Sequence, residues 1–191
     1  MSKIREKNKI LIKKTAFGAI FSATASALLL IGGIFEILDM TSAALASLAV
    51  LVTYLEFGMP TALCVYGVTS VLSFVLNPVA TSNVFFILLM GYFPVVKLVI
   101  DKKLKKSKIL RVISKLAVFN IGSIALLFVF VKISGLDYMI REFTIGPLSP
   151  QIVFVIIFVL LNFFLVLYDK LISILSLVYV NVLRKRIFPK G

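Results

Sequence analysis

Apolar residues in this chain fall in long unbroken runs, not in alternation. The runs cover about Thr15–Ile37, Thr41–Phe57, Met59–Leu76, Asn83–Ile100 and Val112–Val131. A sixth begins near Gln151 and continues, with one polar interruption at Asp169-Lys170, to Leu183. Each is near the ~20 residues that a helix needs to cross a hydrocarbon core. Barrel strands would alternate and be about half as long, so the pattern predicts six membrane-spanning helices. The breaks carry turn chemistry. Gly58 and Pro60 separate the second and third runs, Asn77-Pro78 closes the third, and Gly135 with Gly146-Pro147 marks a long loop before the sixth. Merging the second and third runs would place Gly58 and Pro60 inside one helix, which their backbone preferences oppose.

Charge orders these helices. Basic residues cluster in segments 1–14, 101–111 and 184–191, with Lys115 just beyond the middle one. An even number of spans puts all three clusters on one side, and the positive-inside rule makes that side cytoplasmic. The opposite loops hold Glu36, Asp39, Asp137 and Glu142 against Lys132 and Arg141, so they are acidic on balance. The expected fold is therefore an all-α integral membrane protein: six helices, both termini cytoplasmic, one domain over residues 1–191. The first run is longer than a secretory signal core and is expected to stay as an uncleaved helix.

Composition narrows the chemistry. Of the 191 residues, 61% are apolar and 15% charged. Soluble domains have about 45–50% and about 25%, so a soluble enzyme and a disordered tail are excluded. The net charge of +13 first reflects topology and attraction to anionic membrane lipid. The dense run Lys102-Lys103-Leu104-Lys105-Lys106-Ser107-Lys108 could also dock a cytoplasmic partner. It lacks interleaved aromatics and any recognition module, so nucleic acid is not expected as a partner. There is no His, and Cys64 is the one cysteine. No phosphate-binding loop, zinc motif, nucleophile elbow or metal-holding Asp cluster occurs. The expectation is no enzyme activity, no metal and no cofactor.

Several residues inside the spans invite a role. Ala19, Ala23 and Ala27 recur every four residues and share a helix face, with Gly18 and Ser22 beside it. Small residues there allow close helix approach, within the bundle or to another subunit. Ionisable groups at membrane depth cost about 2.5–3.5 kcal/mol each on insertion scales, so Asp169 and Lys170 stand out. Being adjacent, they point about 100° apart. Two placements are open: the outer half of the membrane, which is slightly favoured, or the inner interface, where Lys170 would snorkel. Asn162 lies two turns before Asp169 on a similar face. Pro94 is expected to kink the fourth span, Lys97 to snorkel, Asn120 to bond between helices and Glu56 to serve structure.

The chain resembles the substrate-binding S components of energy-coupling factor (ECF) vitamin importers. Three features carry the resemblance. One is Ala19-Ile20-Phe21-Ser22-Ala23 with Ala27 on the first helix. The second is Phe57-Gly58-Met59-Pro60, followed by a helix ending in Ser73-Phe74-Val75-Leu76-Asn77-Pro78. The third is Lys170, spaced like a family lysine before an apolar run that ends in Leu183-Arg184-Lys185-Arg186. Leu171 stands where the family has Gly. The resemblance implies a capture subunit for a vitamin-like small molecule in a bacterial cytoplasmic membrane. Its partners would be a transmembrane coupling subunit, docked on Ala19, Ala23 and Ala27, and two ATPase subunits. The substrate site is expected among Asp39, Asn162, Asp169 and Lys170, between the late helices and the loop after span one, with Gly32-Gly33 letting that loop move. A second reading is a small membrane scaffold similar to the rod-shape-determining proteins of bacterial wall synthesis, with no small-molecule ligand.

Overall fold

The structure is a computed structural model that describes residues 2–78, 80–134 and 150–184. Six helices among these are long and apolar enough to cross a membrane, the make-up of a multi-pass membrane protein. No strand occurs among the described residues. The expected loop residues Asp137, Arg141 and Glu142 and the tail residues Lys185, Arg186 and Lys190 lie outside them.

Helix α1 (Ser2–Ile34) continues straight through the basic N-terminal segment, so the first span begins inside a longer helix than the apolar run alone suggests. Helices α2 (Asp39–Phe57) and α3 (Met59–Leu76) match the second and third runs. Gly58 joins them with φ 86°, the one positive value among the described residues, and its N–H donates to the Tyr54 carbonyl at 3.0 Å. A side chain would be strained there, which is why glycine closes the hairpin. Pro60 sits in the first turn of α3, where its missing N–H costs nothing.

The fourth span is irregular. Helix α4 (Thr81–Phe85) passes into a π-helical turn (Phe86–Met90), and α5 (Phe93–Lys103) follows after Gly91 and Tyr92. The expected kink at Pro94 is thus a π turn and a break placed just before the proline. Pro94 has no N–H to offer the carbonyl four residues back, which is Met90. Tyr66 and Tyr168 donate instead: Tyr66 to the Ile87 carbonyl at 2.7 Å, Tyr168 to the Met90 carbonyl at 3.2 Å. Glycines let neighbours come close to this segment. A Cβ on Gly91 would meet the Tyr66 ring at 2.8 Å, and one on Gly122 would overlap the Leu88 carbonyl.

Helix α6 (Lys108–Ser134) and helix α7 (Pro150–Val178, extended by a π-helical turn Tyr179–Leu183) complete the set. The core is shared mainly by α1, α2 and the fourth span, around Leu29, Val50, Phe86, Leu89 and Phe93. Ser82 donates to the Leu29 carbonyl, and Asn83 donates to the carbonyls of Ser73 and Asn77, which joins three helices at the end away from the basic loop. Gly32 and Gly33 lie within α1. Their α-carbons pack against Ser42 and Ala80, so both serve close contact there.

Helix α7 is held differently. Its buried side chains among the described residues are Leu165, Tyr168, Ile172 and Tyr179, a narrow stripe at spacings of three, four and seven. The rest of its apolar surface, including Phe163, Leu167, Ile174 and Leu177, is exposed to the surroundings of the bundle. Gly122→Leu should force α6 away from the π turn and cost roughly 1–3 kcal/mol, the usual penalty of overpacking. Thermal unfolding in a mild detergent should show a lower midpoint for this variant and an equal or higher one for Gly67→Ala, whose Cβ meets nothing in the middle of α3.

Candidate functional site

Charges at membrane depth converge where α5, α6 and α7 meet. Lys97 Nζ lies 2.7 Å from Asp169 Oδ1, and Lys115 Nζ lies 2.9 Å from the same oxygen. Lys115 also reaches Asp101 at 2.8 Å, and Lys97 reaches it at 3.6 Å. Lys97 donates a further bond to Ser173 Oγ at 2.7 Å, and Ser173 donates to the Asp169 carbonyl one turn back. Arg111 lies 3.9 Å from Asp101 and donates to the Lys105 carbonyl. The Lys97 side chain is 1% exposed, so its charge depends on these partners and not on water.

Local sequence explains the convergence. Lys97 and Asp101 are four apart on α5, and Arg111 and Lys115 are four apart on α6, so each pair stacks on one face. The turn Leu104–Ser107 brings the two faces together at the end of the bundle that carries the basic loop. Asp169, half-buried, joins from α7 beside the buried Tyr168 and Ile172. The Asp169-Lys170 pair lies near the middle of the Val155–Val182 span, for Tyr168 beside it meets Ser47 midway along α2 and the Met90 carbonyl of the fourth span.

Lys170 points about 100° away and is exposed, as the helical angle between neighbours requires. It belongs neither to the charge network nor to the lining of the crevice described below. Asn162 is partly buried and donates to the Phe158 carbonyl of its own helix. Asp39 opens α2 at the other end of the bundle, partly buried. The structure therefore does not bring Asp39, Asn162, Asp169 and Lys170 into one site. The residues that sequence reasoning assigned to snorkelling and topology, Lys97 and Lys115, are those that meet Asp169. The expected interhelical bond of Asn120 is also absent: its Oδ1 is buried without a partner.

A second polar group anchors α7 to α2. Glu56 accepts from the Tyr179 hydroxyl at 3.2 Å and from Arg184 Nε at 3.1 Å. Glu56 thus ties the end of α2 to the π turn that closes α7, in keeping with the structural role expected of it. Between these ties, Tyr168 Oη lies 2.5 Å from Ser47 Oγ.

Next to Tyr168 lies a crevice of about 270 Å³ between α2 and α7. Met40, Thr41 and Ala44 line one wall, and Phe164, Leu167, Tyr168 and Leu171 the other. It is slightly smaller than typical small-molecule pockets and mostly apolar, as they are. It lies between the residues after the α1–α2 turn and the last helix, the region the sequence pointed to. Different side chains form it.

Searches against protein-family models, curated proteins and solved structures find no match. Ala19, Ala23 and Ala27 are all exposed on α1, while Ser22, Ala25, Ser26 and Leu29 on the adjoining face are buried. No group of metal-ligating side chains forms among the described residues.

Removing Asp169 leaves two lysines without their shared carboxylate. Breaking such a buried pair typically costs about 3–5 kcal/mol. Asp169→Asn should therefore lower stability by roughly 3 kcal/mol, read from unfolding in mixed micelles, whereas Lys170→Ala should change it by less than about 0.5 kcal/mol. Equal effects of the two variants would mean that the network does not hold α7.

Proposed function

We propose that this chain is the substrate-capture subunit of an ECF-type importer, embedded in a bacterial cytoplasmic membrane with both termini on the cytoplasmic side. Its partners are a transmembrane coupling subunit and two ATPase subunits on separate chains, with membrane lipid around it. The observation that supports this most directly is the exposed face of α1. Three alanines four residues apart leave a stripe of small exposed side chains, beside the face of Ser22, Ala25, Ser26 and Leu29 that is buried in the bundle. In lipid, such stripes allow close approach of a second helix, where dispersion and backbone contacts drive association. The crevice between α2 and α7 adds a place for a small molecule. The absence of an ATP-binding motif from the sequence fits a subunit driven by others.

The charge network favours a second reading. Asp169 is consumed by Lys97 and Lys115, as expected if the charged residues stabilise the bundle of a ligand-free scaffold. Gentle purification of the tagged chain from its native membrane, followed by native mass spectrometry, separates the two. Recovery of two ATPases and a coupling subunit supports capture. Recovery of wall-synthesis proteins with no ATPase and no ligand supports the scaffold.

Ala23→Leu puts a branched side chain in the middle of the stripe. Partner binding should weaken at least about tenfold, equivalent to ~1.4 kcal/mol, with no change in the unfolding midpoint of the isolated chain. Unchanged binding would mean that the coupling subunit docks elsewhere.

A further inference from the structure

The crevice beside Tyr168 has a chemistry that selects its occupant. The Tyr168 hydroxyl is its buried polar group, and that hydroxyl already contacts Ser47 and the Met90 carbonyl. The rings of Phe164 and Tyr168 stack with their planes 14° apart and centroids 6.0 Å apart, which gives the α7 side a flat apolar wall. The neighbouring charges on α7 are engaged or exposed elsewhere. Asp169 is bonded to Lys97 and Lys115, and Lys170 is exposed outside the crevice lining. Nothing in the lining would balance a carboxylate, a phosphate or an ammonium group. Burying such a charge unpaired would be prohibitive.

The position of the mouth matters equally. Leu167 and Leu171 edge the crevice and are 50% and 44% exposed, so it opens sideways between α2 and α7. Both residues lie in the middle of the Val155–Val182 span, so the mouth meets hydrocarbon and not water. An apolar molecule dissolved in the bilayer would reach it without leaving lipid. Thr41, an exposed hydroxyl in the first turn of α2, marks the polar end of the lining.

We propose that the crevice between α2 and α7 binds the hydrocarbon chain of an uncharged, membrane-dissolved amphiphile, which enters sideways from the bilayer with its hydroxyl end toward Thr41. This rests on the substrate-capture reading and names its substrate class: a lipid-soluble molecule with an apolar chain, not a charged, water-soluble one.

The test uses the full chain alone in phosphatidylcholine nanodiscs with a diazirine-bearing long-chain alcohol as probe. After irradiation, the labelled peptides are mapped by mass spectrometry. Labelling should concentrate in segments 40–44 and 164–171, saturate with probe, and be displaced by the same alcohol without the diazirine. Ala44→Phe, which fills the crevice, should raise the half-saturating probe concentration about tenfold. Thr41→Trp at the exposed rim should do the same and perturbs packing less. Labelling of the exposed α3 face around Val71 and Val75 should stay low, unsaturated and unchanged. Equal, unsaturated labelling of both faces would overturn the proposal, as would saturable labelling that Thr41→Trp leaves unaltered. Displacement by phosphatidylcholine chains alone, with no effect of added alcohol, would also overturn it, because the occupant would then be ordinary surrounding lipid. Partner subunits play no part in this assay. Absence of ATPases in the purification would overturn the capture reading and leave the labelling result intact.

Discussion

A carboxylate that holds two lysines across three helices organises the late half of this protein. Asp169 Oδ1 lies within 3 Å of both Lys97 and Lys115, and Asp101 completes the set. Charges away from water are tolerated only where opposite charges and hydrogen bonds replace hydration. Helix α7 has a narrow buried stripe and a broad exposed apolar surface, so packing alone specifies its position weakly. The network fixes its rotation and height: Asp169 has to face α5 and α6, and Lys170 then has to face outward. Glu56, with Tyr179 and Arg184, repeats the device at the far end of the helix.

The irregular fourth span belongs to the same arrangement. Pro94 deprives the Met90 carbonyl of its helical donor, and Tyr168 supplies one. Residues of one stretch of α7 thus connect to this span, Tyr168 to its backbone and Asp169 and Ser173 to its lysine. Tyr168 also forms a wall of the apolar crevice. A shift of α7 that altered the crevice would have to disturb these connections, which couples the cavity to the charge network through adjacent residues.

Hydropathy made the helices legible. The run Met59–Leu76 is a helix with those bounds, because Gly58 and Asn77 punctuate it on either side. The length of α1 was less evident, since the basic segment before Thr15 is helical without being apolar. The site was legible only in part. Asp169 stood out because it interrupts an apolar run, but hydropathy does not report which way a side chain faces. Lys97 and Lys115 therefore read as ordinary interfacial lysines. The signal that could have found them was the pair of four-residue spacings, Lys97 to Asp101 and Arg111 to Lys115, either side of one short turn. The crevice had no sequence signal, because its lining is indistinguishable by type from any lipid-facing surface. The π turn was likewise hidden: a proline foretells a break, not the hydrogen-bond pattern that accommodates it.

The central claim is that α7 is positioned by paired charges and not by apolar packing alone. A double-mutant cycle on Lys97→Met and Asp169→Leu, read as unfolding free energy in bicelles, tests it most directly. The account predicts that each single variant is strongly destabilised and that the double variant recovers much of the loss, with a coupling of about 2 kcal/mol or more. Additivity within about 0.5 kcal/mol would contradict it.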